Sequence, residues 1–375
     1  MKAEHDKLYE GMPHGHGHPG GHPGGHPGGH PGGGGGVKIM SWNTTNDCNL
    51  FCAHCYRESG ERAKGELNTE EGKKLIEEIA RAGFHIMIFS GGEPMSRPDI
   101  FELIAHAKAH GLRPVLGSNG TLITTEVAQK LKDAGLMAAG ISLDSLDKEK
   151  HDTLRAMKGA WDLAVRGMEA CKEVGLPFQI HTTVMDWNAP EITDLMDFAV
   201  EIGARAHHIF FLVPTGRGED IVDSALDRES YEEVLTRIMK KAKEVPIEVK
   251  PTCAPQFIRV ADKVGKKQRF SKGCLAGITY CIISPKGDVQ PCAYMKMEIG
   301  NVREKPFDEI WANDPTFKIL RTMDYSGQCG ACKYKEGCGG CRARAAYYHR
   351  GDFMSADPLC ILNKEGKKEE SNGCN

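Results

Sequence analysis

No stretch of this chain stays apolar for the roughly 20 residues that a membrane-spanning helix requires, so it reads as having no membrane partner. An excess of charge is missing too: 48 basic against 51 acidic side chains leave a formal net charge of −3. Without a basic patch there is no electrostatic footprint for nucleic acid. The chain opens on neither a hydrophobic signal nor a transit-like segment. Fourteen cysteines are then expected to serve metal rather than disulfides. Reduced thiolates imply a cytoplasmic protein of an anaerobic or oxygen-avoiding microbe.

Residues 13–36 are almost wholly Gly, His and Pro, with Gly-Gly-His-Pro recurring around His22, His26 and His30. Glycine entropy and the missing proline donor argue against a packed fold, so 1–36 is expected to be a disordered tail. Its imidazoles suit weak binding of nickel, zinc or haem iron, and an uninvolved solvated tail fits equally well. A short polar tail is expected over 366–375.

Between them, apolar β-rich runs alternate with amphipathic stretches. The runs begin at Lys38–Asn43, His85–Ser90, Arg113–Ser118, Met137–Ser142, Phe178–Val184 and Ala206–Leu212. Helical patterns fall at Thr69–Ala82, Asp99–His110, Thr124–Ala134 and Glu191–Ile202, and Asp147 has the chemistry of a helix cap. Such alternation predicts βαβ units on a parallel sheet, where ligands gather at the carboxyl ends of the strands. Cys48, Cys52 and Cys55 follow the first run with spacing C-x3-C-x2-C. A cube of four irons needs four ligands. Three local thiolates leave one iron for a non-protein molecule or for a distant cysteine.

These features resemble the radical S-adenosylmethionine (SAM) superfamily, whose core is a partial (β/α)6 TIM-like barrel, an α/β fold. The triplet matches that family's cluster motif, with His54 where an aromatic is common. Ser90-Gly91-Gly92-Glu93-Pro94 matches the segment implied to bind the SAM ammonium through backbone carbonyls and Glu93. The resemblance implies ribose and carboxylate contacts from Asn119, Ser142 and Asp144, and a pairing of Arg155 with the SAM carboxylate. It places the barrel at 37–252.

Eight cysteines lie after residue 270: Cys274, Cys281, Cys292, Cys329, Cys332, Cys338, Cys341 and Cys360. Their order resembles the SPASM extension of radical SAM enzymes, expected here over 253–365. The family usually has three residues between its fifth and sixth motif cysteines, where Cys338-Gly339-Gly340-Cys341 has two. The family arrangement implies one auxiliary [4Fe-4S] cluster on Cys274, Cys281, Cys292 and Cys341, and a second on Cys329, Cys332, Cys338 and Cys360. One auxiliary cluster, or a pair of zinc knuckles, are the alternatives. Of the remaining cysteines, Cys171 reads as a small buried hydrophobe, Cys253 as a packing residue near the mouth, and Cys374 as inert.

Over Val37 to Cys360 the chain resembles the SAM-dependent haem synthases of the sirohaem pathway and their NirJ-type relatives. Ser41–Thr45, His207–Gly218, Gly273–Gly277 and Cys338–Arg344 carry that likeness. It implies oxidative decarboxylation of two propionates of Fe-coproporphyrin III to vinyl groups, giving haem b, with ferredoxin or flavodoxin as electron donor. After hydrogen abstraction, loss of carbon dioxide requires a second electron to leave the substrate, and an auxiliary cluster is a natural acceptor. A substrate bearing carboxylates needs cations: Arg217, Arg342 and Arg344 are the candidates by guanidinium geometry. His207 and His208 are candidates to approach the tetrapyrrole iron, although alternation sends only one inward. The competing readings are a SPASM maturase of ribosomal peptides, another tetrapyrrole side-chain removal, and a non-enzymatic iron-sulfur carrier.

Overall fold

The computed structural model describes residues 36–267 and 269–363, so the expectations placed on residues 1–35, on 366–375 and on Cys374 lie outside it. Six apolar runs form successive strands: β1 (Ile39–Asn43), β2 (Ile86–Ser90), β3 (Arg113–Ser118), β4 (Ala138–Ser142), β5 (Phe178–Val184) and β6 (Ala206–Phe211). Each pairs parallel to the one before. Parallel pairing requires a crossover, supplied by α1 (Thr69–Arg81), α2 (Ile100–Ala109), α3 (Thr125–Asp133), the pair α4 (Lys148–Arg155) and α5 (Ala160–Val174), and α6 (Ile192–Ile202). Local chemistry starts these helices. Asn68 and Glu71 form a reciprocal capping box at α1, and Asp147 accepts from the Glu149 and Lys150 amides at α4.

The sheet then grows at both edges. Beyond α7 (Arg228–Lys241), β7 (Glu248–Thr252) adds parallel to β6. Past α8 (Phe257–Val264), β8 (Tyr280–Ile283) lies parallel to the free edge of β1. β9 (Asp288–Gln290) and β10 (Gly300–Asn301) continue it antiparallel. The order is β10-β9-β8-β1-β2-β3-β4-β5-β6-β7. A single sheet therefore runs across residues 252 and 253, from the barrel strands into the cysteine-rich region. That region closes with α9 (Phe307–Asn313), α10 (Pro315–Thr322), α11 (Gly327–Gly330) and α12 (Arg342–Tyr348).

Strand alternation separates core from site. On β5, Phe178, Ile180, Thr182 and Val184 are buried, whereas Gln179, His181 and Thr183 are half-buried on the inner face. Phe178, Ile180 and Val184 join one continuous core with Leu195 and Met196 of α6. The outer face thus packs against helices, and the inner face keeps polar side chains near the strand ends. Among the described residues no helix is long and apolar enough to cross a membrane.

Candidate active site

The loop after β1 carries Cys48, Cys52 and Cys55, of which Cys52 is buried and the others half-buried. Burial pushes the Cys48 thiol up to about 12, and the charges of Glu93, Cys52 and Cys55 add to it. Burial also raises Cys52, with Cys55 adding and the Arg155 guanidinium opposing. Desolvated thiols that raise one another face a shared space, and a metal centre there would let them ionise together. The donor set fits an iron-sulfur cube.

Backbone bonds fix this loop. The Cys48 amide donates to the Gly60 carbonyl at 2.8 Å, and the Ala53 amide to the Leu154 carbonyl at 2.9 Å. Arg217 donates from Nε to the Cys52 carbonyl at 2.8 Å and from Nη1 to the Ser59 carbonyl at 2.9 Å. Its guanidinium also lies 3.9 Å from the Phe51 ring centroid. Expected at a substrate carboxylate, Arg217 gives its Nε and Nη1 donors to backbone carbonyls and so holds the cysteine loop. His54 is held down to about 4 by burial and by Arg155. Its Nδ1 has no hydrogen-bond partner among the described residues.

The Gly91–Glu93 segment is zipped to the same loop. The Gly92 amide donates to the Thr45 carbonyl at 2.8 Å and the Glu93 amide to the Asp47 carbonyl at 2.7 Å. A Cβ at Gly92 would stand 2.2 Å from the Asp47 carbonyl oxygen, and one at Gly91 2.5 Å from that of Thr45. The approach therefore demands glycines. The Glu93 carboxylate accepts from Ser118 Oγ at 2.8 Å and from the amides of Asn119 at 2.9 Å and Met95 at 3.1 Å. Burial still raises it to about 7. Asn119 Nδ2 donates to Asn49 Oδ1 at 2.9 Å, tying β3 to the cysteine loop. Ser142 Oγ reaches the Ser118 carbonyl at 3.4 Å.

Asp144 and Arg155 form a buried pair beside Cys52. Arg155 donates to Asp144 Oδ2 from Nε at 2.8 Å and from Nη2 at 2.5 Å, while its Nη1 stands 3.8 Å from Cys52 Sγ. Burial alone would raise Asp144, but the Arg155 charge holds it near 2. The Arg155 guanidinium thus has a carboxylate partner within the chain.

The carboxyl-terminal thiols divide differently from the expected sets. Cys274, Cys292 and Cys341 gather around a small core with Cys253. Burial raises Cys253, as do the charges of Cys341, Cys292 and Cys274. Cys253 also has φ +57°, a left-handed backbone uncommon for a residue with a side chain. Cys281 does not join this group. It is fully buried on β8 with its Sγ 3.9 Å from Met40 Sδ, inside the main core with Ile283. Strand alternation gives the reason: Cys281 and Ile283 share the core-facing side, and their neighbours point away. Expected to pack, Cys253 stands where Cys281 was expected. The local signal that could have found it is its place at the carboxyl end of β7, on the ligand rim.

Cys329, Cys338 and Cys360 form the second set, the charges of Cys360 and Cys329 adding to the burial that raises Cys338. Cys332 follows one turn after Cys329, its amide donating to the Cys329 carbonyl at 3.5 Å. Asp357 links the two sets. Its Oδ2 accepts from the Cys341 amide at 2.7 Å, and its amide lies 3.4 Å from Cys329 Sγ. Arg344 clamps Asp357 at 2.8 and 2.7 Å and donates to the Cys253 carbonyl at 3.0 Å. Arg342 donates to the Phe353 and Ser355 carbonyls at 2.9 and 2.7 Å. Both arginines are fully buried. Neither is free for substrate carboxylates as expected, because each organises the thiol region.

Two tyrosines bridge the loop and the first thiol set. Tyr56, next to Cys55, has its ring centroid 5.3 Å from that of Tyr294, two residues past Cys292. On β6 the histidines part: His207 is buried on the outer side, 2.8 Å from Thr182 Oγ1, and His208 faces inward, stacked on His181 with centroids 5.5 Å apart. His207 is therefore structural.

Residues 42–199 match the model of the radical SAM superfamily, and residues 274–341 that of SPASM, an iron-sulfur cluster-binding domain. The chain is 42% identical over 345 residues to an AdoMet-dependent heme synthase of Methanosarcina barkeri, covering 88% of this chain and 98% of that one. An Fe-coproporphyrin III synthase of the same organism is 34% identical over 356 residues, covering 87% and 88%. In fold the chain is similar to Streptococcus suis SuiB bound to S-adenosylmethionine, with TM-score 0.70 at 18% identity over 87% of this chain and 77% of that one.

Proposed function

The chain belongs to the radical SAM superfamily, in the branch that carries a SPASM iron-sulfur domain, and from that premise we propose that it is a haem synthase. The proposed reaction converts two propionates of Fe-coproporphyrin III to vinyls, giving haem b. Each conversion removes one hydrogen atom from the propionate β-carbon, breaks the bond to the carboxylate, and releases carbon dioxide and one electron. A cluster held by Cys48, Cys52 and Cys55, with SAM bound, would supply the radical chemistry that removes the hydrogen atom, one SAM for each vinyl.

The residues have distinct tasks in this reading. Cys48, Cys52 and Cys55 hold the SAM-binding cube, and Arg217 fixes their loop. Glu93 receives the SAM ammonium, with Gly91 and Gly92 allowing backbone approach. Asn119, Ser142, Asp144 and Arg155 line the ribose and carboxylate side. Cys253, Cys274, Cys292 and Cys341 hold one auxiliary cluster, and Cys329, Cys332, Cys338 and Cys360 a second, which suits a substrate that must lose an electron at each propionate. The barrel is assigned to 37–252 and the SPASM domain to 253–365. A cytoplasmic setting and a ferredoxin or flavodoxin donor complete the proposal.

The observation that carries it is the identity to the AdoMet-dependent heme synthase along nearly its whole length. Anaerobic incubation of reconstituted protein with Fe-coproporphyrin III, SAM and dithionite tests it by mass spectrometry. Loss of two carboxyl groups, with two 5′-deoxyadenosines per haem, is expected. An unchanged substrate, with turnover of another tetrapyrrole, would overturn the haem b assignment.

A further inference from the structure

The inner face of the sheet holds a row of basic side chains that the chemistry above does not use. Parallel register sets His181 of β5 opposite His208 of β6, and His208 opposite Lys250 of β7. On the other side Ser142 of β4 faces His181. Three basic groups therefore stand side by side across three strands, about 4.8 Å from strand to strand. Gly140 makes room for the first: a Cβ there would stand 2.3 Å from the His181 ring. The row continues to the SAM side, because His181 lies within the electrostatic reach of Arg155 and Asp144.

Three observations mark this row as a receptor for an anion. The half-buried Lys250 ammonium lies 4.4 Å from the Phe270 ring centroid and makes no hydrogen bond or ion pair among the described residues. His208 Nε2 is buried without a hydrogen bond, 3.8 Å from the nearest Glu248 oxygen. That separation is too long for a bond. His181 and His208 are stacked nearly parallel, at 7°, an arrangement that two imidazolium ions would resist. Burial lowers the pKa of all three groups. A desolvated ammonium with no hydrogen-bonded partner, offset only by the Glu248 charge, is costly unless an anion arrives to pair with it. The nearby formal charges are Glu248, which stands at 3.8 Å from both His208 and Arg269, within ion-pair range but beyond hydrogen-bond range, and the Asp144–Arg155 pair.

We propose that Lys250, flanked by His208 and His181, forms a carboxylate subsite that anchors one propionate of the tetrapyrrole inside the barrel. This rests on the haem synthase reading and specifies how its substrate is gripped. Lys250 supplies the charge and His208 a neutral imidazole donor. Arg217, Arg342 and Arg344 are committed elsewhere, which leaves this row to do what they were expected to do. Neutralisation of the row by a substrate carboxylate needs no counter-ion from solvent.

The test uses the full chain with its clusters reconstituted, and coproporphyrin III as a metal-free fluorescent probe. Its neutral tetra-amide serves as control. Lys250→Met should weaken coproporphyrin III binding about tenfold or more, leave tetra-amide binding unaltered, and be rescued by Lys250→Arg. Iron content and the SAM-induced change in the cluster's EPR signal report that the variant is folded. Should Lys250→Met prove unstable, His208→Gln must show the same carboxylate-selective weakening. Equal binding of the probe by wild type and by the folded variant would overturn the subsite and leave the haem synthase reading standing. Failure of the wild type to bind either tetrapyrrole would overturn both.

Discussion

Exchanging Cys253 and Cys281 for alanine separates the two possible auxiliary ligand sets. If Cys253 completes the set with Cys274, Cys292 and Cys341, Cys253→Ala leaves three thiolates, and iron should fall by up to about four per chain, one cube. Cys281→Ala should leave iron untouched. Its cost is mechanical: the Sγ is fully buried, 3.9 Å from Met40 Sδ, and deletion opens a small cavity worth about 1 kcal/mol. The two substitutions should therefore give opposite signatures. Cys253→Ala changes iron content and removes one cluster from the EPR and Mössbauer spectra, and Cys281→Ala only lowers the unfolding midpoint. Iron assay and Mössbauer spectroscopy on anaerobically reconstituted protein make the comparison. A Cys281→Ala protein that loses a cluster, beside a Cys253→Ala protein that keeps its full complement, would refute the assignment.

Glu93 predicts a pH dependence. Burial raises its carboxyl to about 7, so its contribution to stability is fully present below the unfolded value near 4.5 and lost as pH rises through 7. An arriving ammonium needs the carboxylate, so SAM should bind more tightly from pH 6 to 8, by up to about tenfold. Calorimetry should show that Glu93→Gln weakens binding and flattens this profile. Arg217→Ala frees the Cys52 and Ser59 carbonyls; it should reduce loading of the amino-terminal cube, read by EPR, and leave tetrapyrrole affinity unchanged. Asp357→Ala leaves Arg344 buried and unpaired, so the unfolding free energy should drop by about 3–5 kcal/mol, measured by denaturant titration; a loss under 1 kcal/mol would contradict the buried-pair account.

Much of this was readable in the sequence where the signal is local. The six strand runs from Lys38 to Leu212 and the helices from Thr69 to Ile202 follow hydrophobic period and cap chemistry, and the observed elements lie within a residue or so of them. The triplet Cys48, Cys52 and Cys55 and the Gly91–Glu93 segment are contiguous, so their meeting needs only two adjacent parallel strands. What the sequence does not carry is long-range. Cys253 has no motif because the thiols it gathers with lie from 21 to 88 positions away, whereas Cys281 is close in sequence to Cys274 but faces the core by strand alternation. Arg217, Arg342 and Arg344 have the right chemistry for carboxylates. Their actual partners are carbonyls and Asp357, placed by tertiary folding. Lys250 is not legible in the sequence, because one lysine on a strand says nothing until register sets two histidines beside it.

If the cube held by Cys48, Cys52 and Cys55 keeps one iron open to the cofactor, ENDOR spectroscopy with SAM labelled at its amino nitrogen and carboxylate will read it. Strong coupling of both labels to the reduced amino-terminal cube, lost in Cys52→Ala, is the predicted result. Absence of coupling, with that cube fully ligated by protein and its spectrum indifferent to SAM, would contradict the account.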